Sequence, residues 1–151
     1  MMKGLTVMNQ SKIRINKFLI HSIVYRLKKE LNFQVDFLQI NFVISGYILR
    51  LNNEYLSHNF TTDIITFNYS EESYKFDGEI FISINDALKN AKRYKVSLDV
   101  ELLRLIIHGL LHLRGYDDIN EADRKIMKKK EDFLVNKNLD LLKGKNLTYD
   151  Y

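Results

Sequence analysis

His108-Gly109-Leu110-Leu111-His112-Leu113-Arg114-Gly115-Tyr116-Asp117-Asp118 follows directly on an unbroken apolar run, Leu102, Leu103, Leu105, Ile106 and Ile107. The run reads as a buried helix that carries two histidines near its end. Four residues apart, His108 and His112 project from one face, one turn above the other. Two imidazoles stacked this way can both reach one ion at the ~2.0–2.1 Å that zinc–nitrogen bonds require. Gly115 is where the chain can leave the helix, because glycine tolerates the left-handed backbone that ends helices. The chain can then swing Asp117 or Asp118 back toward the same ion. Two histidines and one carboxylate leave a fourth position open for water, the arrangement of catalytic rather than structural zinc sites.

Working outward from that helix, Ser97 with Asp99 and Glu101 in the following turn predicts its start. A shorter helix capped by Asn85 or Asp86 and running to about Tyr94 precedes it. A last helix follows from about Asn120 to Val135, its apolar stripe drawn from Ala122, Ile126, Met127, Phe133 and Leu134 among many charges. Upstream, Lys3–Asn9, Val35–Ser45, the stretch Ile64, Ile65, Phe67, Tyr69, and Glu79–Ser83 read as strands from their β-branched and aromatic content. Ser70–Asp77 reads as a loop. Helices are expected over Ile15–Leu31 and Tyr47–Leu56, the first with His21 at its surface or boundary. Strands gathered in the first half and helices in the second predict an α+β fold: a single domain over residues 1–142 with one small mixed sheet packed against helices and the metal site on the central buried helix. Residues 143–151 form a polar tail expected to be mobile.

Composition narrows the functional classes. With 151 residues, 46% hydrophobic and 28% charged, the chain has the balance of a globular domain large enough for a proper core. No apolar run approaches the ~20 residues that span a bilayer, and no secretory signal opens the sequence. Cysteine is absent, which excludes disulfides and thiolate sites and fits a cytoplasmic setting. The net charge of +4 is uneven: residues 1–58 hold eight Lys/Arg against three acids, the remainder fifteen against sixteen. A basic half-chain suits a polyanion such as RNA, or is simply a solvated helix face.

The pattern His-x3-His-x2-Gly-x2-Asp has the ligand spacing of a metzincin peptidase. In those enzymes the residue after the first histidine is the glutamate general base. Here it is Gly109, which can neither take nor give a proton. The spacing points to a metal-dependent site and away from a protease.

His108–Asp118 resembles the His-Gly-x-Leu-His-Leu-x-Gly-Tyr-Asp-His signature of the YbeY family, bacterial factors of ribosomal-RNA maturation. Leu51-Asn52-Asn53-Glu54-Tyr55, Thr62-Asp63-Ile64-Ile65-Thr66-Phe67 and Gly78-Glu79-Ile80 are similar to three further family stretches, in order and spacing. The resemblance implies an α+β fold, one zinc ion held by three side chains, and single-strand-specific endoribonuclease activity. It also implies work at the small-subunit ribosomal RNA 3′ end and in ribosome quality control, with ribosomal RNA and the small subunit or its proteins as partners. Carried over residue by residue, His108 and His112 are metal ligands, and the third family ligand, a histidine, falls on Asp118. These three act catalytically through the bound metal and its water. A carboxylate in that place makes the bound water less acidic than a third neutral imidazole would.

A second departure is Leu56, where many members carry an arginine thought to contact RNA phosphate. Arg50, Arg104 and Arg114 are the candidate replacements. Phe67, Tyr69 and Tyr116 are candidate base-stacking platforms, although aromatics at strand spacing are more often core. Thr66 and Glu79 are candidate cleft residues, and His58 lies in a loop that could approach the metal. Two other readings compete with the nuclease: a zinc metallopeptidase, and a non-enzymatic ribosome assembly factor with a structural metal.

Overall fold

The structure, a computed structural model, describes residues 1–55 and 62–149. Strand β1 (Leu5–Asn9) is followed by the short β2 (Arg14–Ile15), helix α1 (Lys17–Leu31), strand β3 (Gln34–Val43) and helix α2 (Ser45–Tyr55). Strands β4 (Ile64–Asn68) and β5 (Lys75–Ser83) then lead into helices α3 (Ile84–Tyr94), α4 (Leu98–Leu113) and α5 (Glu121–Asn138). A 3-10 turn (Leu139–Leu142) and strand β6 (Thr148–Tyr149) complete the described chain. The fold is α+β, with one mixed four-stranded sheet in the order β1-β3-β5-β4. β1, β3 and β5 are parallel, while β4 runs antiparallel to β5 and is an outer edge with no further strand beside it among the described residues.

The alternation of side chains along a strand divides the apolar residues between two faces. On one face Leu38, Ile40 and Phe42 of β3 and Ile80 and Ile82 of β5 join the main core with α1 and α4. On the other, Val43, Ile65 and Phe81 pack with Ile48 and Leu51 of α2. Helix α4 is the centre of the main core. Its Leu102, Leu103, Ile106, Ile107, Leu110 and Leu111 are all fully buried, a wide apolar face, while Glu101, Arg104, His108 and His112 form a polar stripe along the cleft. Close contact between α4 and the sheet needs Gly109, whose absent Cβ would lie 2.8 Å from Ile80 Cδ1. Gly78 is required for the same reason on the sheet itself, where a Cβ would collide with the carbonyl oxygen of Phe67.

Several boundaries depart from the sequence expectations. β5 begins at Lys75, inside the expected loop, because Phe76 and Gly78 alternate inward while polar Lys75 and Asp77 alternate outward. Ser83, rather than Asn85 or Asp86, caps α3 by accepting from the Asp86 N–H. In α5 the buried stripe is Met127, Glu131, Leu134, Val135 and Asn138, leaving Ile126 and Phe133 exposed. His21 is only 7% exposed, its Nδ1 accepting the Met2 N–H at 3.0 Å. Residues 143–149 are not a free tail. Leu147 is fully buried, β6 pairs with β2, and the Asp99 carboxylate accepts from the N–H groups of Leu147 and Thr148 and from the Thr148 hydroxyl.

Candidate metal centre

Helix α4 delivers both histidines from its last two turns. It ends in a Schellman arrangement: the Tyr116 N–H donates to Leu111 O and the Gly115 N–H to His112 O, with Gly115 at φ +108°. This turn sends the chain back over the histidines. Asp117 Oδ1 then accepts the Ile119 N–H at 2.7 Å, an Asx turn that commits Asp117 to the loop. Asp118, the next residue, faces the imidazoles. Arg124 of α5 donates to the backbone oxygens of Asp118 and Ile119 and ties the loop in place.

The three side chains meet in a small triangle. His108 Nε2 and His112 Nε2 are 3.2 Å apart, and Asp118 Oδ2 lies 3.6 and 3.4 Å from them respectively. Donors bonded to one ion at ~2.0–2.1 Å with tetrahedral angles stand ~3.3 Å apart. The triangle matches that spacing, so this donor set fits a tetrahedral divalent ion with one position left open to the cleft. Of the two aspartates left open by the sequence, the fold brings Asp118 to the histidines.

The imidazoles are backed differently. His108 Nδ1 lies 2.6 Å from Glu131 Oε1 on α5, whereas His112 has a backbone hydrogen bond with Tyr116. In the metal-free protein burial alone pulls the His108 imidazole down, but the bond to Glu131 and that carboxylate's charge outweigh it and leave His108 raised. His112 is lowered, by burial and then by the neighbouring His108. Glu131 stays below the usual carboxylate range despite burial, because His108 and Arg104 both donate to it.

The triangle opens onto a cleft of about 1040 Å³. One wall is edge strand β4, through Ile64, Thr66 and Asn68, and Asp63, Asn90 and Glu101 also line the cleft. Asn90 Nδ2 donates to both Asp63 and Glu101, and burial raises the proton affinity of both carboxylates. Sequence reasoning missed Asp63, Asn90, Glu101, Lys128 and Glu131. For Glu131 a signal existed, since it stands on the inward stripe of α5 between Met127 and Leu134, where a lone acid requires a buried partner.

Other sequence candidates lie elsewhere. Arg104 lines the cleft but is engaged by Glu131 at 3.0 Å and Asp132 at 2.7 Å. Arg114 is a structural tie, donating to Leu31 O and Ser73 Oγ. Arg50 stacks over Tyr47 on α2. Phe67 packs edge-on against Tyr55 and Phe81, and Tyr69 donates to Glu79, so neither aromatic nor Glu79 lines the cleft, while Thr66 does. Tyr116 packs against the core and borders a separate small pocket. Leu56 and His58 lie outside the described residues.

Fold and site together define the class: an α+β fold whose four-stranded sheet packs against a buried helix, the end of which presents a His-His-Asp donor set to an open cleft. A protein-family model described as Endoribonuclease YbeY matches residues 6–138. The chain belongs to the YbeY endoribonuclease family. It is 37% identical over 127 residues to the Endoribonuclease YbeY of Chlorobium phaeobacteroides, spanning 84% of this chain and 89% of that one. It is 43% identical over 99 residues to that of Karelsulcia muelleri, spanning 64% and 70%. The solution structure of a Thermotoga maritima protein superposes with a TM-score of 0.61 at 24% identity over 94% of this chain and 99% of that one, a likeness of fold. No helix among the described residues is long and apolar enough to cross a membrane.

Proposed function

We propose that this chain is a zinc-dependent endoribonuclease that cuts single-stranded RNA, and that it acts at the 3′ end of small-subunit ribosomal RNA and in ribosome quality control. The observation that carries the reading is the His108–His112–Asp118 triangle, with tetrahedral donor spacing, facing a cleft rather than sealed in the core. Family membership supplies the substrate class. The basic first half of the chain agrees with an RNA partner, which the chain would meet in the cytoplasm.

Zinc bound at such a centre supplies a water of lowered pKa and polarises a phosphoryl oxygen. The chain's own side chains do the rest. Asp118 Oδ2 and the two Nε2 atoms would hold the ion where the triangle meets the cleft. Lys128 lines the cleft beside Arg104, and both cations are paired with Glu131 and Asp132, so an RNA phosphate would have to share them with these carboxylates. Asp63 and Glu101, both bonded to Asn90 and both raised by burial, are the cleft carboxylates suited to hold a proton. Gly109 argues against a peptidase, because its missing side chain points into Ile80 and leaves no space for a glutamate base.

The test is cleavage of an end-labelled single-stranded RNA and its matched duplex by ribonuclease-free preparations of wild type, chelated wild type and folded His112→Ala. The expected result is cutting of the single strand only, by zinc-loaded wild type only. Equal cutting by His112→Ala refutes the metal-centred mechanism. One zinc bound without any cutting shifts the reading to an assembly factor with a structural metal.

A further inference from the structure

We propose that Glu131 is a positioning residue for a divalent cation at the His108–His112–Asp118 centre. It would fix the proton of His108 on Nδ1 and so keep Nε2 free to bind. The inference rests on reading that triangle as a metal site. Glu131 comes from a different helix, faces inward on α5 and is only 5% exposed, so its carboxylate must be compensated within the protein. The compensation is divided between its two oxygens. Oε2 is held by Arg104 Nη1 at 3.0 Å and Lys128 Nζ at 3.5 Å. Oε1 lies 2.6 Å from His108 Nδ1, the short distance of a charge-assisted bond.

A carboxylate pinned on one oxygen by two cations cannot rotate away from the imidazole without losing them. His108 Nδ1–H therefore donates to a fixed acceptor, and the lone pair of Nε2 is left pointing into the triangle, 3.2 Å from His112 Nε2. Without that acceptor either ring nitrogen can carry the proton, and a proton on Nε2 would occupy the position the cation needs. Among the described residues His112 has a backbone partner at Tyr116 in place of such a carboxylate, so the two histidines are unequal partners for the ion. Metal-bound imidazoles backed by carboxylates generally lose roughly 10–100-fold in metal affinity when that partner is removed.

The experiment measures zinc affinity by chelator competition in wild type, Glu131→Gln and Asp132→Asn. Metal-free unfolding of each is followed by circular dichroism to establish that it is folded. Asp132→Asn touches the same Arg104 but leaves the Glu131–His108 contact in place. Expected are a loss of about 10–100-fold for Glu131→Gln and less than about threefold for Asp132→Asn. If Glu131→Gln folds and binds zinc as tightly as wild type, the proposal is overturned. If it does not fold, ¹⁵N NMR of zinc-loaded wild type decides. A proton retained on His108 Nδ1 and protected from exchange supports the assignment, while metal bound through Nδ1 or a freely exchanging Nδ1–H overturns it. Failure of wild type to take up zinc at all refutes the metal reading and this inference together, whereas uptake with unchanged affinity in Glu131→Gln refutes this inference alone.

Discussion

Replacing Gly109 with alanine adds one methyl group where α4 touches the sheet. That Cβ would lie 2.8 Å from Ile80 Cδ1 and 3.2 Å from both Cγ1 and Cγ2. Turning the end of the Ile80 side chain removes only the first clash. The other two atoms hang from Cβ on a fully buried central strand, so the helix must shift. Overpacking of this kind costs about 1–3 kcal/mol, while Gly→Ala in a helix interior returns about 1 kcal/mol. With three close contacts and no exposed neighbour to yield, we expect Gly109→Ala to be about 1–2 kcal/mol less stable than wild type. Ile80→Val deletes Cδ1, the nearest atom, at its own cost of about 0.5–1.5 kcal/mol. The double variant should therefore be about 1 kcal/mol more stable than the sum of the single changes. Urea denaturation of the chelated proteins, followed by far-UV circular dichroism, measures all four corners of the cycle. A stabilised Gly109→Ala with strictly additive energies would falsify the close-approach account and reopen position 109 to a catalytic side chain.

Asp99→Ala removes three hydrogen bonds to Leu147 and Thr148 and should cost about 2–3 kcal/mol in the same urea experiment. An unchanged midpoint would show that the last strand adds nothing to stability. His21 is a buried acceptor whose imidazole is held below its ordinary 6.5 by burial and by the N-terminal charge. Because the folded state disfavours the proton, this contribution is complete above 6.5 and is lost as pH falls through the depressed folded value. Comparing wild type with His21→Gln isolates it: the stability gap should shrink on acidification from about pH 7.5 to about pH 5.5. A gap that stays constant across that range would rule out titration of His21 as its source.

How much of this was legible in the sequence follows from the range of each interaction. Helix α4 was readable because every cue for it is local: Ser97 as cap, the apolar run and Gly115 at the exit. The two histidines needed only helical periodicity. Asp118 against Asp117 could not be settled by spacing, because the choice depends on the Asx turn that takes up Asp117. The start of β5 was hidden because Lys75 and Asp77 are polar on the outward face, and only pairing with Gln34–Phe37 of β3 reveals it as strand. Glu131 and Asp63 are separated from the histidines by many residues. Only tertiary packing brings them to the cleft, and no local pattern near His108 encodes either.

Edge strand β4 lines the cleft, and its outer row of N–H and C=O groups follows from the path of the chain rather than from side-chain identity. An extended ligand lying along that wall meets donors and acceptors that no alanine scan can delete. Replacing Ile64, Thr66 or Asn68 alters the shape of the groove and leaves this row intact, whereas proline removes one donor at a time. The wall is thereby indifferent to most genetic change, and selectivity for one ligand sequence over another has to be written in the side chains that line the rest of the cleft, on α3, α4 and α5.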